Sequence, residues 1–163
     1  MTVRNIVRYP DPALATSCAM VTTFGADLAA LQQDLVDTMR AAPGVGITAA
    51  HIGVSQRIFV LELQPGKILT YVNPNIVRSS TETMRHAEGS VSMPGLTEEL
   101  ERPREVTVRF QDVTGAEQEE SAVDFHATCI QHEIDQLDGI FWIKRLSKLK
   151  RDRLIRKWEK MQR

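Results

Sequence analysis

The 163-residue sequence predicts an α+β fold in which antiparallel strands come first and a buried helix comes late. Three observations support this prediction. Apolar residues recur at three- and four-residue spacing in residues 26–40 and again in residues 125–137, which is typical of amphipathic helices. Short runs of apolar and β-branched residues lie between them, separated by glycine, proline and asparagine turn signals. Because no repeat, linker or low-complexity segment divides the chain, we expect a single domain over residues 1–163.

The composition is that of an ordinary globular protein, with 42% hydrophobic and 25% charged residues. The two cysteines, Cys18 and Cys129, are far apart and form no C-x-x-C pair, which favours a reducing environment over a disulfide scaffold. The N-terminus lacks the apolar run of a secretory signal, and no segment approaches the roughly 18 apolar residues of a membrane span. We therefore expect a cytoplasmic protein with no membrane partner.

The small net charge of −1 conceals a basic C-terminal segment. Residues 144–163 contain ten Lys and Arg side chains against Asp152 and Glu159, which gives this segment a net charge of +8. A solvated helix face is the simpler interpretation of such a charge run, because exposed charges contribute little to specific contacts. Contact with nucleic acid or an acidic partner is the alternative.

The first half of the chain predicts one helix followed by three strands. Residues 1–23 are predicted to be extended, with a short helical turn after Pro10-Asp11-Pro12. The dense glycines of Gly44–Gly53 predict a packed loop, since glycine permits tight turns and close backbone approach. The regular elements predicted here are the helix Ala26–Arg40 and the strands Ile58–Leu63, Ile68–Val72 and Asn75–Val77.

The second half predicts a hairpin and two helices. Glycine and proline mark Glu88–Gly95 as a turn. The regular elements predicted here are the strands Val106–Phe110 and Glu117–Val123 and the helices Phe125–Leu137 and Ser147–Met161. The earlier helix is expected to be buried, because it carries an apolar stripe of Ala127, Ile130, Ile134 and Leu137. The C-terminal helix is amphipathic, and opposite its basic residues it carries Leu149, Leu154, Ile155, Trp158 and Met161.

The buried helix also carries a motif that is one residue short of a metal site. In H-E-x-x-H, two histidines four residues apart bind a divalent metal, and the glutamate acts as general base on the metal-bound water. Here His132 and Glu133 are present, but the fifth position is Gln136. At 3.6 residues per turn, His132 and Gln136 lie about 40° apart around the helix. We expect this second face of the helix to border a pocket.

Three glycine-marked segments, Gly44–Gly53, Glu88–Gly95 and Gln131–Gly139, together resemble the three motifs of the peptide deformylases in their order and spacing. That family removes the formyl group from the N-terminal methionine of new bacterial chains. The resemblance runs almost from end to end, and it includes Pro10-Asp11-Pro12, Ala42–Gly46, Arg102 and Leu146–Arg151. It implies the deformylase fold, with formyl-methionine or a related peptide N-terminus as the bound partner.

The family pattern reads G-x-G-[IL]-A-A-x-Q, E-G-C-[LV]-S and Q-H-E-x-D-H. It implies that the cysteine and both histidines bind one divalent ion and that the glutamate transfers the proton. The glutamine side chain and the backbone N–H after the cysteine hold the oxyanion of the intermediate. Here His132 and Glu133 match the pattern, and Val91 keeps the backbone N–H. The resemblance further implies a substrate pocket made of Gly46, Ile47, Glu88, Gly89, Arg102, Phe125, Thr128 and Cys129.

The three remaining chemical positions, and one wall of the pocket, differ from the family pattern. Ser90 stands in place of the cysteine ligand, and Gln136 stands in place of the second histidine. His51 stands in place of the glutamine that holds the oxyanion. Thr128 replaces an apolar wall residue of the methionine pocket. A serine hydroxyl is far harder to deprotonate than a thiol, and glutamine offers only a neutral amide oxygen in place of an imidazole nitrogen. We therefore expect no cofactor, or one divalent ion (Fe, Zn or Ni) that is bound weakly.

Two interpretations of this site follow. In the first, a deformylase-like protein has lost metal-dependent catalysis and serves as a binding or regulatory module. In the second, His51 and His132 hold a rewired metal with a weak oxygen ligand, and the chain hydrolyses formyl or other N-acyl groups. Gln136 is also a candidate to form a hydrogen bond with His132 or Ser90 in a buried polar network. Ser90 is a candidate to cap a turn. The basic C-terminal helix is a candidate for contact with ribosomal RNA, as suits a family that works on new chains.

Overall fold

The computed structural model describes residues 2–163 and has the α+β architecture predicted from the sequence. The helices of these residues are α1 (Ala26–Ala41), α2 (Asp124–Leu137) and α3 (Lys148–Met161). The strands are β1 (Gly46–Thr48), β2 (Ile58–Gln64), β3 (Lys67–Ser79), β4 (Thr83–Ser90), β5 (Met93–Pro103), β6 (Glu105–Gln111) and β7 (Glu117–Val123). Short 3-10 turns lie at Pro12–Ala15, Ala49–Ile52 and Trp142–Arg145. The predicted bounds of the three helices and of β2, β6 and β7 are correct to within one residue at each end.

Two antiparallel sheets enclose α2. The larger sheet has the strand order β1-β2-β3-β6-β7, and β4 pairs with β5 in a separate two-stranded sheet. The apolar stripe of α2 packs on the larger sheet, where Ile130 and Leu137 are fully buried in one cluster with Phe59 and Leu61. The same helix also contacts both strands of the smaller sheet. α2 is therefore covered on two sides, which confirms the prediction of a buried late helix among antiparallel strands.

Strand β3 corrects the prediction of two short strands separated at Asn73-Pro74. It is one continuous strand of 13 residues, and its pairing with β6 shifts register between Val72 and Asn75. Asn73 takes a positive φ of 50° at this irregularity. Its carboxamide accepts from the backbone N–H of Val21 at 2.8 Å and donates to the carbonyl of Val21 at 2.9 Å. These bonds stabilise the irregularity, which is a β-bulge. The strand therefore continues through Pro74, although this residue lacks a backbone N–H.

The β4–β5 hairpin is a second correction. Glu88–Gly95 was expected to be a turn, but only Val91 and Ser92 lie between the two strands, and the flanking residues belong to β4 and β5. The hairpin lacks the runs of β-branched residues that predict strands, because Thr83 and Thr97 are the only β-branched residues of β4 and β5 and charged residues are frequent in both strands. Gly46–Thr48 also pairs with β2, so part of the segment predicted as a loop is strand.

The C-terminal helix is amphipathic, but its apolar face is narrower than predicted. Leu154 and Trp158 are buried, and the indole Nε1–H of Trp158 donates to the carbonyl of Tyr9 at 3.0 Å. Leu149 and Met161 are 65% and 51% exposed, because they lie at the two ends of α3 beyond the core. Within residues 2–163, no helix is both long and apolar enough to cross a membrane.

Candidate functional site

A cavity of about 420 Å³ lies between α2, β1 and the β4–β5 hairpin. Most of the residues predicted for the site line it, namely Gly46, His51, Glu88, Gly89, Ser90, Val91, Phe125, Thr128, Cys129, His132 and Glu133. The fold thus brings together side chains from three segments that are far apart in the chain. Sequence reasoning missed several further residues of the lining, including Leu61, Pro94, Leu96 and Thr97. Pro94 lies in the motif segment Glu88–Gly95 but was not singled out, while Leu61, Leu96 and Thr97 lie outside the three motif segments.

Three residues predicted for the site do not line the cavity. Ile47 is fully buried in the core cluster beneath α1, because alternate residues of β1 point to opposite faces. Arg102 lies behind Glu88, where its guanidinium is buried. Gln136 is 2% exposed and donates its amide N–H to the carbonyl of Leu14 at 2.8 Å. The side chain that replaces the second histidine is therefore bonded to the N-terminal segment, not to His132 or Ser90.

A buried network of charges holds His132 in place. The guanidinium of Arg102 donates to both oxygens of Glu88, at 2.7 and 3.0 Å, and to Asp135 at 2.9 Å. Arg145 then donates twice to the same carboxylate of Asp135, at 3.0 and 2.8 Å. The Nδ1–H of His132 donates to Glu88 at 2.9 Å. Because every carboxylate in this network faces a guanidinium, the buried charges are balanced and the imidazole of His132 is oriented with Nε2 free.

The network also sets the ionisation of its members. Burial alone would raise the pKa of Glu88, but the hydrogen bonds from His132 and Arg102 outweigh it and lower the pKa. Burial alone would lower the pKa of His132, but its bond to Glu88 and the negative charges of Glu133 and Glu88 together raise it. Glu88 therefore stays ionised, and its charge favours the protonated form of His132.

His51 is held in one tautomer by its own turn. The backbone N–H of Thr48 donates to His51 Nδ1 at 2.9 Å, and the backbone N–H of His51 reaches the Thr48 hydroxyl at 3.3 Å. Because a backbone N–H can only donate, Nδ1 must be unprotonated, and the neutral ring carries its proton on Nε2. Burial, with a smaller contribution from His132, lowers the pKa of His51 to about 3, so the ring stays neutral. His51 Nε2 has no hydrogen-bond partner within residues 2–163. It is therefore a fixed, unpaired donor at the cavity.

Glu133 supplies the second unpaired polar atom of the cavity. Burial raises its pKa to about 7, although the charge of His132 opposes this shift. Its Oε2 has no hydrogen-bond partner among the described residues, and its Oε1 lies 3.8 Å from His132 Nε2. A β-carbon at Gly46 would lie 3.3 Å from Oε1 and 2.7 Å from a methyl of Leu61, so only glycine lets β1 pass this close.

The apolar wall of the cavity comes from the first turns of α2. Phe125 packs its ring on His86, with the ring centroids 4.6 Å apart. Thr128 and Cys129 follow on the same helix, and both are buried. Burial, together with the charges of Glu133 and Glu88, raises the pKa of Cys129 to about 12. The thiol is therefore protonated at neutral pH and is a poor nucleophile.

Comparison with known proteins agrees with the motifs and the fold. The family model for polypeptide deformylase matches residues 3–152 of the chain. The chain belongs to the peptide deformylase family. It is 69% identical over 160 residues to a protein of Agrobacterium fabrum named peptide deformylase-like, and the match covers 98% of both chains. It is 42% identical to a protein of Rhizobium meliloti named peptide deformylase, over 98% of this chain and 94% of that one.

The solved structures of this family share the same fold. The crystal structure of a peptide deformylase from Legionella pneumophila superposes with a TM-score of 0.93 and 36% sequence identity. The match covers 99% of this chain and 96% of that chain. The α+β architecture with two antiparallel sheets and a C-terminal helix is therefore that of a peptide deformylase.

The metal that this family implies does not fit the donors found here. At the three positions the resemblance assigns to ligands, only His132 offers an imidazole, and its Nδ1–H has the carboxylate partner usual for a metal-bound histidine. Ser90 accepts a bond from the backbone N–H of Ser92 at 3.0 Å, as expected of a residue that caps a turn. Gln136 faces away. Among residues 2–163, no three His, Cys, Asp or Glu side chains are grouped as a metal site.

His51 does not repair this donor set. A histidine that binds metal through Nε2 carries its proton on Nδ1 and donates it to an acceptor. At His51 the backbone nitrogen of Thr48, which is a donor, lies 2.9 Å from Nδ1, and the Thr48 hydroxyl, which can donate or accept, lies 3.0 Å from it. Moving the ring proton to Nδ1 would leave that buried N–H unpaired, at a cost of about 1–3 kcal/mol. The turn therefore favours a donor at Nε2 of His51 over a metal ligand at that atom.

Proposed function

We propose that this member of the peptide deformylase family binds acylated peptide N-termini, formyl-methionine or related ones, without metal-dependent removal of the acyl group. The placement of Gln136 carries this proposal. Its amide is committed to the Leu14 carbonyl, and Ser90 offers the cavity only a hydroxyl that already accepts from the backbone N–H of Ser92, so neither position supplies the imidazole or thiolate that the family pattern implies. Without a metal, a bound water keeps a pKa near 15.7 instead of about 7. Glu133 alone is too weak a base to make it a useful nucleophile.

The unpaired atoms of the cavity support an acylated N-terminus as the ligand. An amide presents one acceptor and one donor, and the cavity presents the Nε2–H of His51 as a donor and Oε2 of Glu133 as an acceptor when ionised. Pairing both atoms removes two unsatisfied buried groups, each of which costs about 1–3 kcal/mol when left unpaired. A free, charged N-terminus has no acceptor for His51. Recognition therefore depends on the acyl carbonyl.

Binding measurements on matched peptides test this proposal. Isothermal titration calorimetry should show that an N-formyl peptide binds the purified chain at least about tenfold more tightly than the same peptide with a free amine. The variant His51→Phe keeps a ring but loses the donor, and it should lose this preference. The variant His51→Gln keeps a side-chain donor and should retain part of it. Equal binding of both peptides would contradict the proposal.

The alternative function is hydrolysis of another N-acyl substrate, and one observation favours it. Glu133 has a pKa of about 7 and faces the cavity, which suits a general acid or base at neutral pH. In that case the variant Glu133→Ala would lose hydrolysis of an N-acyl peptide almost entirely. Hydrolysis unaffected by this variant would count against the alternative.

We also propose that α3 contacts ribosomal RNA in the cytoplasm. Arg153, Arg156, Lys157 and Lys160 are exposed on this helix, and the one ion pair within it among the described residues joins Lys148 to Asp152. Binding to ribosomes should fall steeply with salt, since phosphate contacts release counterions. Replacing Arg153, Arg156 and Lys157 by glutamine should weaken binding and flatten its salt dependence. Association that is insensitive to salt, or absent, would dispose of this idea.

A further inference from the structure

The wall of the cavity one turn before His132 carries an unpaired hydroxyl. Thr128 lines the cavity and is 3% exposed, and no hydrogen bond of its hydroxyl is found within residues 2–163. Its neighbour Cys129, also at the cavity, offers a second weakly polar group, a protonated thiol. A hydroxyl that is open to the cavity is a poor surface for an apolar side chain, because it remains unsatisfied when such a ligand displaces water from it.

An acylated N-terminus that is held as proposed above can extend its first side chain along the wall that carries Thr128. Thr128 and His132 are four residues apart on one face of α2, a rise of about 6 Å along the helix. His51 and Glu133 hold the acylated amide at the His132 end of the cavity under the proposed function. The first α-carbon is bonded directly to the nitrogen of that amide. A side chain that leaves this carbon along the helix therefore runs toward Thr128.

Phe125 shortens the same part of the cavity. Its ring lies one turn before Thr128, lines the cavity and packs on His86. A long, unbranched side chain that extends past Thr128 therefore meets the face or edge of an aromatic ring. A short side chain ends at the hydroxyl and does not reach the ring. The wall thus favours a ligand whose first side chain is shorter and more polar than that of methionine.

We propose that this cavity selects acylated peptides whose first residue has a short side chain with a hydrogen-bonding group, such as serine or asparagine, over methionine. The selection rests on the proposed function, since it requires that the acylated N-terminus is held by His51 and Glu133. Thr128 is the residue that determines the specificity, because its hydroxyl pairs with the ligand's polar atom. Phe125 limits the length of the side chain.

A panel of peptides that differ only at the first residue tests this inference. Calorimetry with N-formyl-X-Ala-Ser peptides should rank serine and asparagine at least about tenfold tighter than norleucine, the apolar isostere of methionine. The variant Thr128→Val keeps the shape of the side chain and removes its hydroxyl. Thr128→Val should abolish or reverse the preference for serine and asparagine over norleucine. The control Thr81→Val, at an exposed threonine outside the cavity lining, should leave the ranking unchanged.

The outcomes separate this inference from the function on which it rests. Methionine or norleucine binding as tightly as serine, or a ranking that Thr128→Val leaves unchanged, overturns the inference alone. Loss of the preference for formylated over free-amine peptides, whatever the first residue, overturns the proposed function and the inference together. The variant Phe125→Leu gives an independent check, and it should tighten binding of the norleucine peptide while circular dichroism shows an unchanged fold.

Discussion

Replacing Glu133 by glutamine should stabilise the protein at pH 8 and leave its stability unchanged at pH 4. Glutamine has the same shape but no charge, so it removes the cost of burying a carboxylate whose pKa is raised to about 7 from the ordinary 4.5. This shift corresponds to roughly 3 kcal/mol, at 1.36 kcal/mol for each pKa unit. Since the folded state binds the proton more tightly, the wild-type loses this stability as pH rises from about 4.5 to 7.

Urea denaturation at pH 4, 6 and 8 measures this effect as the difference in free energy of unfolding between the variant and the wild type. The difference should be near zero at pH 4, intermediate at pH 6 and up to about 3 kcal/mol in favour of the variant at pH 8. The control Glu159→Gln changes an exposed acid on α3 and should show no such trend. A variant that is equally stable or less stable than the wild type at pH 8 would refute the claim that burial of the Glu133 carboxylate outweighs the charge of His132.

Three further predictions concern the supports of the cavity. Gln136→Ala should lower the free energy of unfolding by about 1–3 kcal/mol, because it leaves the Leu14 carbonyl unpaired; an unchanged urea midpoint would mean that this bond is not formed. Arg102→Met should cost about 3–5 kcal/mol, because the buried Glu88 loses its guanidinium and Asp135 keeps only Arg145, and a melting temperature within a degree of the wild type would contradict the network. In ¹⁵N-edited NMR spectra, His51 should show the neutral Nε2–H tautomer throughout pH 5 to 8; a ring that titrates in this range, or carries its proton on Nδ1, would contradict the assignment.

The sequence predicted the elements that bury an apolar stripe, and it missed those that do not. The spacing of Ile130, Ile134 and Leu137 was enough to place α2, because a helix with a buried face repeats every 3.6 residues. The β4–β5 hairpin was missed because its outer face alternates charged residues with few β-branched ones. Asn73-Pro74 suggested a break in β3, but the bonds from Asn73 to Val21 hold the strand together across it.

The site was predicted from its motifs, but the orientation of its side chains was not. Gln136 was placed on the same face as His132, yet its partner Leu14 lies 122 residues away in the sequence and could not be inferred from it. His51 was considered as a metal ligand because a motif gives the residue type and not the tautomer. Thr48, three residues earlier, decides that tautomer through its backbone N–H. Local spacing predicts which residues meet at the cavity, while the donor or acceptor role of each depends on contacts made only in the fold.

We propose that the scaffold of a peptide deformylase is kept here while its metal-dependent chemistry is lost. The most direct test combines metal analysis with a deformylase assay on the native protein and on the double variant Ser90→Cys, Gln136→His, after confirming that both are folded. We predict that the native protein carries far less than one equivalent of Fe, Ni or Zn and does not hydrolyse formyl-methionine peptides, and that the double variant gains both metal and activity. About one equivalent of metal in the native protein, with deformylation at the rates of ordinary family members, would contradict the claim.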